Sequence, residues 1–175
     1  MRDLRTAFNN CITMMDEIGI DYGNITEVAV NTRAKKRWGQ CKCNYIGFYG
    51  GKPQYDFTIN ISSVLLDERV PIESLQNTII HEILHTCPGC QNHGAEWKRR
   101  AAKVKHNLGY DIKRCSGFSE MGITDEMQKE YRPYKYMVQC KKCGRVVGRQ
   151  KMCHMIKHPE SWRCGVCSGE FERIL

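Results

Sequence analysis

The most informative residues in this 175-residue chain are two histidines spaced four apart, with a glutamate after the first. They lie in the segment His81-Glu82-Ile83-Leu84-His85. Residues four apart share one face of an α-helix, so both imidazoles can bind one zinc ion, and the neighbouring carboxylate can reach a water molecule on that ion. The segment therefore predicts a catalytic zinc site with Glu82 as general base.

A helical projection shows which face of the predicted helix carries these histidines. They lie about 40° apart at 100° per residue. The apolar residues cover a roughly opposite arc formed by Ile72, Leu75, Ile79, Ile80, Ile83, Leu84 and Cys87. The histidines share their own strip with Ser74, Asn77 and Thr78. This polar strip is typical of the floor of a cleft rather than of a packed core.

A catalytic zinc needs a third protein ligand and an open position for water. The metzincin spacing would place a histidine six residues after His85, but Gln91 occupies that position. His93 and Glu96 are the two nearby candidates. His93 projects closer to the apolar face of the next predicted helix, whereas Glu96 projects toward its basic side. This geometry favours His93 as the third ligand.

A second set of possible metal ligands lies near the end of the chain. Cys140 and Cys143 form one C-x2-C pair, and Cys164 and Cys167 form another. This spacing is typical of a structural four-cysteine zinc site, which leaves no position for catalysis. Glycines at 144 and 165 suit tight turns beside the cysteines. Three intervening residues are alternative ligands: Cys153, His154 and His158.

The sequence Cys87-Pro88-Gly89-Cys90 follows the first histidine pair and has the spacing of a redox dithiol. The β-α-β pattern of redox enzymes is not present around it. We interpret it as a loop that fixes the interval between the zinc ligands, with reversible disulfide formation as the alternative.

Several of these segments together resemble the SprT-like zinc metalloproteases, relatives of Spartan. The resemblance rests on His81-Glu82-x-x-His85, His93-Gly94-x-x-Trp97, Asn31-Thr32-Arg33 and Trp38-Gly39-x-Cys41. It implies zinc on the three histidines, Glu82 as general base, and a zinc ribbon after the protease core. It also implies an association with proteins crosslinked to DNA.

The remaining patterns indicate the elements that must position these residues. We expect an α+β fold, with zincin-like helices packed on a small antiparallel sheet and a C-terminal zinc ribbon. The predicted domains are a protease core over 1–135 and a ribbon over 136–175, with residues 109–135 largely irregular. The predicted helices cover 4–18, 71–87 and 93–108, and the predicted strands cover 25–31, 38–45 and 55–62. The alternating strand 55–62 is a candidate for pairing with an extended substrate.

Composition excludes several classes of protein. Hydrophobic residues make up 41% of the chain and charged residues 26%, which is typical of a globular protein. No apolar run is long enough to span a membrane, and the first residues lack an apolar signal core. We therefore expect a cytoplasmic protein with no membrane contact, in which the eleven cysteines do not form a disulfide framework and metal binding is the natural use for cysteines.

Positive charge is concentrated at the C-terminal end. Residues 131–175 carry ten Lys and Arg against three Asp and Glu, whereas the rest of the chain is nearly balanced. This asymmetry predicts contact with DNA that is not sequence-specific. The basic residues expected to contact phosphates are Lys141, Lys142, Arg145, Arg149, Lys151 and Lys157.

These observations favour a monomeric zinc-dependent endopeptidase that binds two zinc ions, one catalytic and one structural, and hydrolyses protein or peptide substrates. Proteins bound or crosslinked to DNA are candidate substrates. The alternatives are a nucleic-acid-binding zinc protein with an inactive protease core, and a different zinc hydrolase built on the same helices. Glu82 favours an active enzyme, because a structural zinc site has no use for this carboxylate.

Overall fold

The structure is a computed structural model that describes residues 1–34 and 37–175. The chain forms two compact units, Met1–Thr124 and Asp125–Leu175. The predicted domain boundary after residue 135 remains a prediction. The α+β fold class with a C-terminal four-cysteine cluster is confirmed.

Three helices build the first unit. Helix α1 (Leu4–Glu17) begins after Asp3, whose carboxylate accepts hydrogen bonds from the next backbone N–H groups. Helix α2 (Ile72–Thr86) carries the first two histidines, and helix α3 (Ala95–Leu108) follows it. No helix in the described part of the chain is long and apolar enough to cross a membrane.

A three-stranded sheet lies beside α2. Its strands are β1 (Ile25–Asn31), β2 (Gly39–Tyr49) and β3 (Lys52–Ser62), in the order β1-β3-β2. Strand β2 is antiparallel to β3, but β1 is parallel to β3, so the sheet is mixed rather than wholly antiparallel. Strand β2 comes between β1 and β3 in the chain and runs opposite to both, so β1 and β3 run in the same direction.

The position of β3 changes one expectation from the sequence. The alternating segment 55–62 was predicted to pair with an extended substrate, but β3 is the central strand and is hydrogen-bonded on both sides. Its alternation reflects packing on α2 instead, because Phe57, Ile59 and Ile61 are buried. The edge strand nearest α2 is β2.

The core of the first unit fixes the orientation of α2. Leu75, Ile79, Ile80, Ile83 and Leu84 are fully buried on this helix. The predicted apolar arc therefore packs inward except at Ile72, which is exposed in the first turn. His81 and His85 are left on the opposite side, half-buried. The polar strip expected from the helical projection is confirmed, since Ser74, Asn77 and Thr78 line one cleft together with His81.

Two other segments differ from the sequence expectation. Helix α3 begins at Ala95, so His93 lies in the loop before it rather than on its first turn. The segment expected to be irregular contains a short helix, α4 (Asp125–Tyr131), which is too short to show a helical period in the sequence.

The second unit is a small antiparallel sheet with little apolar interior. Its strands are β4 (Tyr136–Cys140), β5 (Val146–Arg149) and β6 (Phe171–Arg173), in the order β5-β4-β6, and a short helix α5 (His154–Lys157) packs beside β4. The buried cluster consists of Val138, Cys140, Ile156, Cys164 and Phe171. Two of these five residues are cysteines of the predicted metal site.

Candidate metal centres

The structure brings three histidines together in the first unit. The Nε2 atoms of His81 and His85 are 3.2 Å apart, those of His85 and His93 are 3.2 Å apart, and those of His93 and His81 are 3.1 Å apart. Nitrogen ligands about 2.0 Å from a tetrahedral zinc ion lie about 3.3 Å from one another. The triangle therefore has the size that one zinc ion requires.

Backbone carbonyl groups set the orientation of two of these rings. His81 Nδ1 is 2.9 Å from the carbonyl oxygen of Lys113, and His85 Nδ1 is 2.8 Å from that of Cys90. A carbonyl oxygen only accepts hydrogen bonds, so each Nδ1 carries the proton and donates it. Each Nε2 then presents a lone pair to the centre of the triangle, as in metal-binding histidines.

Electrostatics also keep these imidazoles available to a cation. Burial lowers the pKa of His81 to about 4, with further lowering by His85 and His93. Burial likewise lowers the pKa of His93. A neutral imidazole is the form that binds a metal, and converging lone pairs repel one another unless a cation lies between them. The donor set therefore fits a zinc ion.

Trp97 forms one wall of the histidine cluster. Its ring centroid lies 5.0 Å from that of His81, 5.9 Å from that of His85 and 4.6 Å from that of His93. The indole is buried, so it restricts all three imidazoles at once. Trp97 belongs to the segment that carries the family resemblance, but its spacing gave no indication of this contact.

The turn between α2 and His93 positions the carbonyl group that holds His85. Cys90 N–H donates to the Cys87 carbonyl group at 3.0 Å, and Gly89 has a φ of +75° after Pro88. Proline followed by a left-handed glycine is typical of a type II turn. Both thiols are buried, and burial raises the pKa of Cys87 to about 11. Protonated, buried thiols react slowly, which favours the loop interpretation over reversible disulfide formation.

Glu82 lies beside the histidine triangle and packs against the start of β2. A Cβ atom on residue 39 would overlap the Glu82 side chain, so a larger residue at this position would displace the Glu82 carboxylate. Burial raises the pKa of Glu82 to about 7, while a hydrogen bond from the Cys41 backbone and the charge of Arg37 lower it. Two residues of the Trp38-Gly39-x-Cys41 segment therefore contact Glu82: Gly39 leaves room for its side chain, and the Cys41 backbone donates a hydrogen bond to it.

Glu96, the alternative third ligand, points elsewhere. Its carboxylate accepts hydrogen bonds from Arg99 at 2.7 Å and from Arg100 at 2.8 Å, and these bonds lower its pKa to about 2. Among the described residues, the metal-sized histidine cluster contains His93 and not Glu96.

The four predicted cysteines converge in the second unit. Cys140 Sγ is 3.4 Å from Cys167 Sγ, and Cys143 Sγ is 3.7 Å from Cys164 Sγ. Sulfur ligands about 2.3 Å from a tetrahedral zinc ion lie about 3.8 Å apart. Backbone hydrogen bonds from Val166 and from Cys167 lower the pKa of Cys164 to about 6. The Gly169 backbone lowers the pKa of Cys167, but hydrogen bonds with the other thiols outweigh this lowering, so that the pKa of Cys167 is raised.

The turns after the two cysteine pairs are alike in backbone but not in sequence. Gly144 N–H donates to the Cys140 carbonyl group at 2.9 Å, and Ser168 N–H donates to that of Cys164 at 2.8 Å. Gly144 has a φ of +72° and Ser168 a φ of +54°. The left-handed residue of the second turn is therefore Ser168 and not Gly165.

The alternative ligands of the ribbon lie outside the four-cysteine cluster. Cys153 packs against the apolar core of the second unit. The rings of His154 and His158 contact each other with centroids 4.9 Å apart, and Trp162 Nε1 donates to His154 Nδ1 at 3.4 Å. Among the described residues the ribbon cluster is formed by the four cysteines.

A triangle of histidines on one helix and the loop that follows it, with a neighbouring glutamate, is the arrangement of a metalloprotease-type domain. The family model described as the SprT-like family matches residues 13–116, more than half of the chain. The chain belongs to the SprT-like family, and the resemblance noted from the sequence is confirmed. A search of curated proteins found no significant match to the chain.

Proposed function

We propose that the chain is a zinc-dependent endopeptidase in which His81, His85 and His93 hold the catalytic zinc ion and Glu82 is the general base. The observation that carries the proposal is the triangle of Nε2 atoms, 3.1 to 3.2 Å apart, beside a buried glutamate. When bound, zinc would lower the pKa of a water molecule and polarise the scissile carbonyl group.

Glu82 supplies the proton transfers that peptide hydrolysis needs. A general base works best when its pKa is near the working pH, and burial raises that of Glu82 to about 7. The carboxylate accepts a proton from the attacking water and donates it to the leaving amine. Contact with Gly39 and the Cys41 backbone holds the carboxylate in one position for both transfers.

Strand β2 is suited to bind an extended substrate. It is an edge strand, and its first residue, Gly39, lines the cleft that contains His81 and Glu82, as does Trp38 just before it. An edge strand offers unpaired backbone groups to an added peptide strand. Strand β2 therefore takes the substrate-aligning role that the sequence suggested for residues 55–62.

The zinc ribbon supplies contact with DNA in this proposal. Lys141, Lys142, Arg145, Arg149, Lys151 and Lys157 are all exposed. Trp162 is 45% exposed, which leaves part of its indole available to stack on a base. Proteins bound or crosslinked to DNA are the proposed physiological substrates, because the ribbon would hold the protease near them.

A cleavage screen tests this function. The zinc-loaded chain should cleave unstructured proteins, cleavage should stop on zinc removal and return on zinc addition, and single-stranded DNA should increase cleavage of DNA-binding proteins. The Glu82→Gln variant should retain zinc and lose cleavage by about 10²- to 10⁴-fold. Normal cleavage by Glu82→Gln, or zinc loss without loss of cleavage, would contradict the proposal.

A further inference from the structure

A cleft of about 460 Å³ opens beside the candidate catalytic site. Its lining includes His81 and Glu82, and its walls come from the start of β2, from α2 and from the segment after α3. A volume in this range accommodates a ligand group of the size of one or two amino-acid residues. The cleft is therefore placed to bind the part of a substrate that adjoins the scissile bond.

Some of the charged residues along the cleft form ion pairs, and others do not. Lys113 Nζ is 2.8 Å from Glu120 Oε1, and Asp111 Oδ1 is 2.8 Å from the Nζ atom of Lys105, outside the cleft. Arg37 and Arg114 also line the cleft, and neither side chain makes an ion pair or hydrogen bond within residues 1–34 and 37–175. Two guanidinium groups are thus left for a ligand.

Both arginines lie close to the groups proposed to carry out hydrolysis. The charge of Arg37 contributes to lowering the pKa of Glu82, and that of Arg114 contributes to lowering the pKa of His93. A substrate residue bound by either guanidinium group would therefore be near the scissile bond. Guanidinium groups bind carboxylates and phosphates through paired hydrogen bonds.

A polar atom of the cleft wall also needs a partner. Asn77 Oδ1 is buried and accepts no hydrogen bond from another described residue. A buried acceptor without a donor is costly, so a ligand that supplies an N–H group would be stabilised there. A peptide backbone brings this donor, whereas a phosphodiester backbone does not.

We propose that this cleft is a specificity subsite that selects protein substrates with an acidic residue close to the scissile bond. Arg37 and Arg114 bind the acidic side chain, and Asn77 accepts a hydrogen bond from the substrate backbone. The inference rests on the proposed peptidase function. The acidic group is a carboxylate of aspartate or glutamate, or the phosphate of a phosphorylated side chain, which share this recognition chemistry.

Binding of matched peptides to the zinc-loaded Glu82→Gln full-length chain tests the subsite without turnover. The peptides differ only in having glutamate, glutamine or phosphoserine at one position, and fluorescence anisotropy gives each affinity. We expect the glutamate peptide to bind about tenfold more tightly than the glutamine peptide, which corresponds to about 1.4 kcal/mol. Tighter binding of the phosphoserine peptide than of the glutamate peptide would assign the subsite to phosphorylated substrates.

Charge variants in the same background identify the responsible residues. Arg37→Gln and Arg114→Gln should each reduce the discrimination between the glutamate and glutamine peptides, and Arg37→Glu should favour a lysine peptide instead. Arg5→Gln is the matched control, because Arg5 is an exposed arginine on α1 that does not line the cleft. It should leave the discrimination unchanged.

Three results would overturn the subsite. These are equal affinity for glutamate and glutamine peptides, unchanged discrimination in both arginine variants, and displacement of the glutamate peptide by single-stranded DNA through Arg37 and Arg114. The last result would assign the cleft to nucleic acid. Failure of the proposed function looks different, since the wild-type chain would then cleave no peptide of a library although the binding discrimination persisted.

Discussion

The two candidate metal centres differ in what surrounds their ligands. Two of the three histidines lie on a helix whose other face is fully buried in the core of the first unit. The four cysteines lie in a unit whose buried cluster has five members, two of them metal-site cysteines. The first unit can hold its ligands in place without a metal, whereas the second has too little apolar interior to do so.

The two sets of ligands also differ in whether they leave a coordination position open on the metal. Three histidines leave a fourth tetrahedral position open, and Glu82 lines the same cleft as His81. Four cysteines complete the tetrahedron and leave no open position. A metal that maintains a fold and a metal that serves catalysis are thus expected in one short chain, and loss of each should have a different consequence.

The largest expected effect follows from removing one cysteine of the ribbon. Cys143 is exposed, so Cys143→Ser loses little packing and acts through the metal. Structural zinc supplies about 10 to 16 kcal/mol of binding free energy in small zinc domains. We expect the ribbon resonances to collapse to unfolded positions in two-dimensional NMR spectra, while those of the first unit persist.

His85→Ala is the matched variant for the other centre. It should lose zinc from the histidine site and keep the dispersed resonances of both units, because the core of the first unit is apolar. If His85→Ala unfolded the first unit, or Cys143→Ser left the ribbon folded, the two centres would not differ in the way described here.

The next effect separates the two candidates for the third ligand. His93→Ala should weaken zinc binding by more than the 10- to 100-fold that is typical of losing an outer hydrogen-bond partner. Glu96→Ala should leave the affinity nearly unchanged, because its carboxylate pairs with Arg99 and Arg100. Competition with a chromogenic chelator measures both affinities. The reverse order would transfer the ligand role to Glu96.

The site shows clearly which features the sequence predicts. The spacing of His81 and His85, with an apolar arc opposite, predicts both their shared face and the polar cleft next to it. The hydrogen-bond acceptors that orient these rings are the backbone carbonyl groups of Lys113 and Cys90. Every residue has a carbonyl group, so no residue type or spacing could identify those two.

Other differences arise from tertiary packing. The parallel pairing of β1 with β3 is set by how the chain crosses between strands, which alternation within a strand does not reveal. The same limit explains why β3 was expected to bind substrate although it is the central strand. The contact of Trp97 with three imidazoles likewise depends on how α2 and α3 pack.

A smaller effect is expected at the glycine that touches Glu82. Gly39→Ala forces the carboxylate to move, and a displacement near 1 Å can cost about a hundredfold in rate. Zinc content should not change. Peptide hydrolysis per zinc-loaded chain measures the effect. Gly117→Ala is the control, because its nearest neighbour lies at an ordinary contact distance of 3.9 Å. Equal rates in both variants would remove the positioning role of Gly39.

The smallest effect concerns the charge of the ribbon. Changing Lys141, Lys142 and Arg145 to glutamine should make single-stranded DNA binding less sensitive to salt. The slope of log K against log salt concentration should fall by about two, because each lost phosphate contact removes about 0.7. Fluorescence anisotropy across a salt series measures this slope. Cleavage of a short peptide should be unaffected, because no proposed catalytic group lies in the ribbon.

Three exposed basic residues of the first unit provide the matched control for charge. Arg5, Lys52 and Lys98 changed to glutamine remove the same net charge. The slope should then stay near that of the wild-type chain. Equal losses in the two triple variants would mean that DNA responds to overall charge and not to the ribbon.

Zinc counting during mild chelation tests most directly the claim that one centre is open and catalytic and the other closed and structural. Metal analysis of the purified chain should give two zinc ions, and a mild chelator should remove one of them in parallel with peptide hydrolysis while the ribbon stays folded. Re-addition of zinc should restore hydrolysis. A single zinc ion that mild chelation does not remove, or complete zinc loss from the histidine site with hydrolysis intact, would contradict the account.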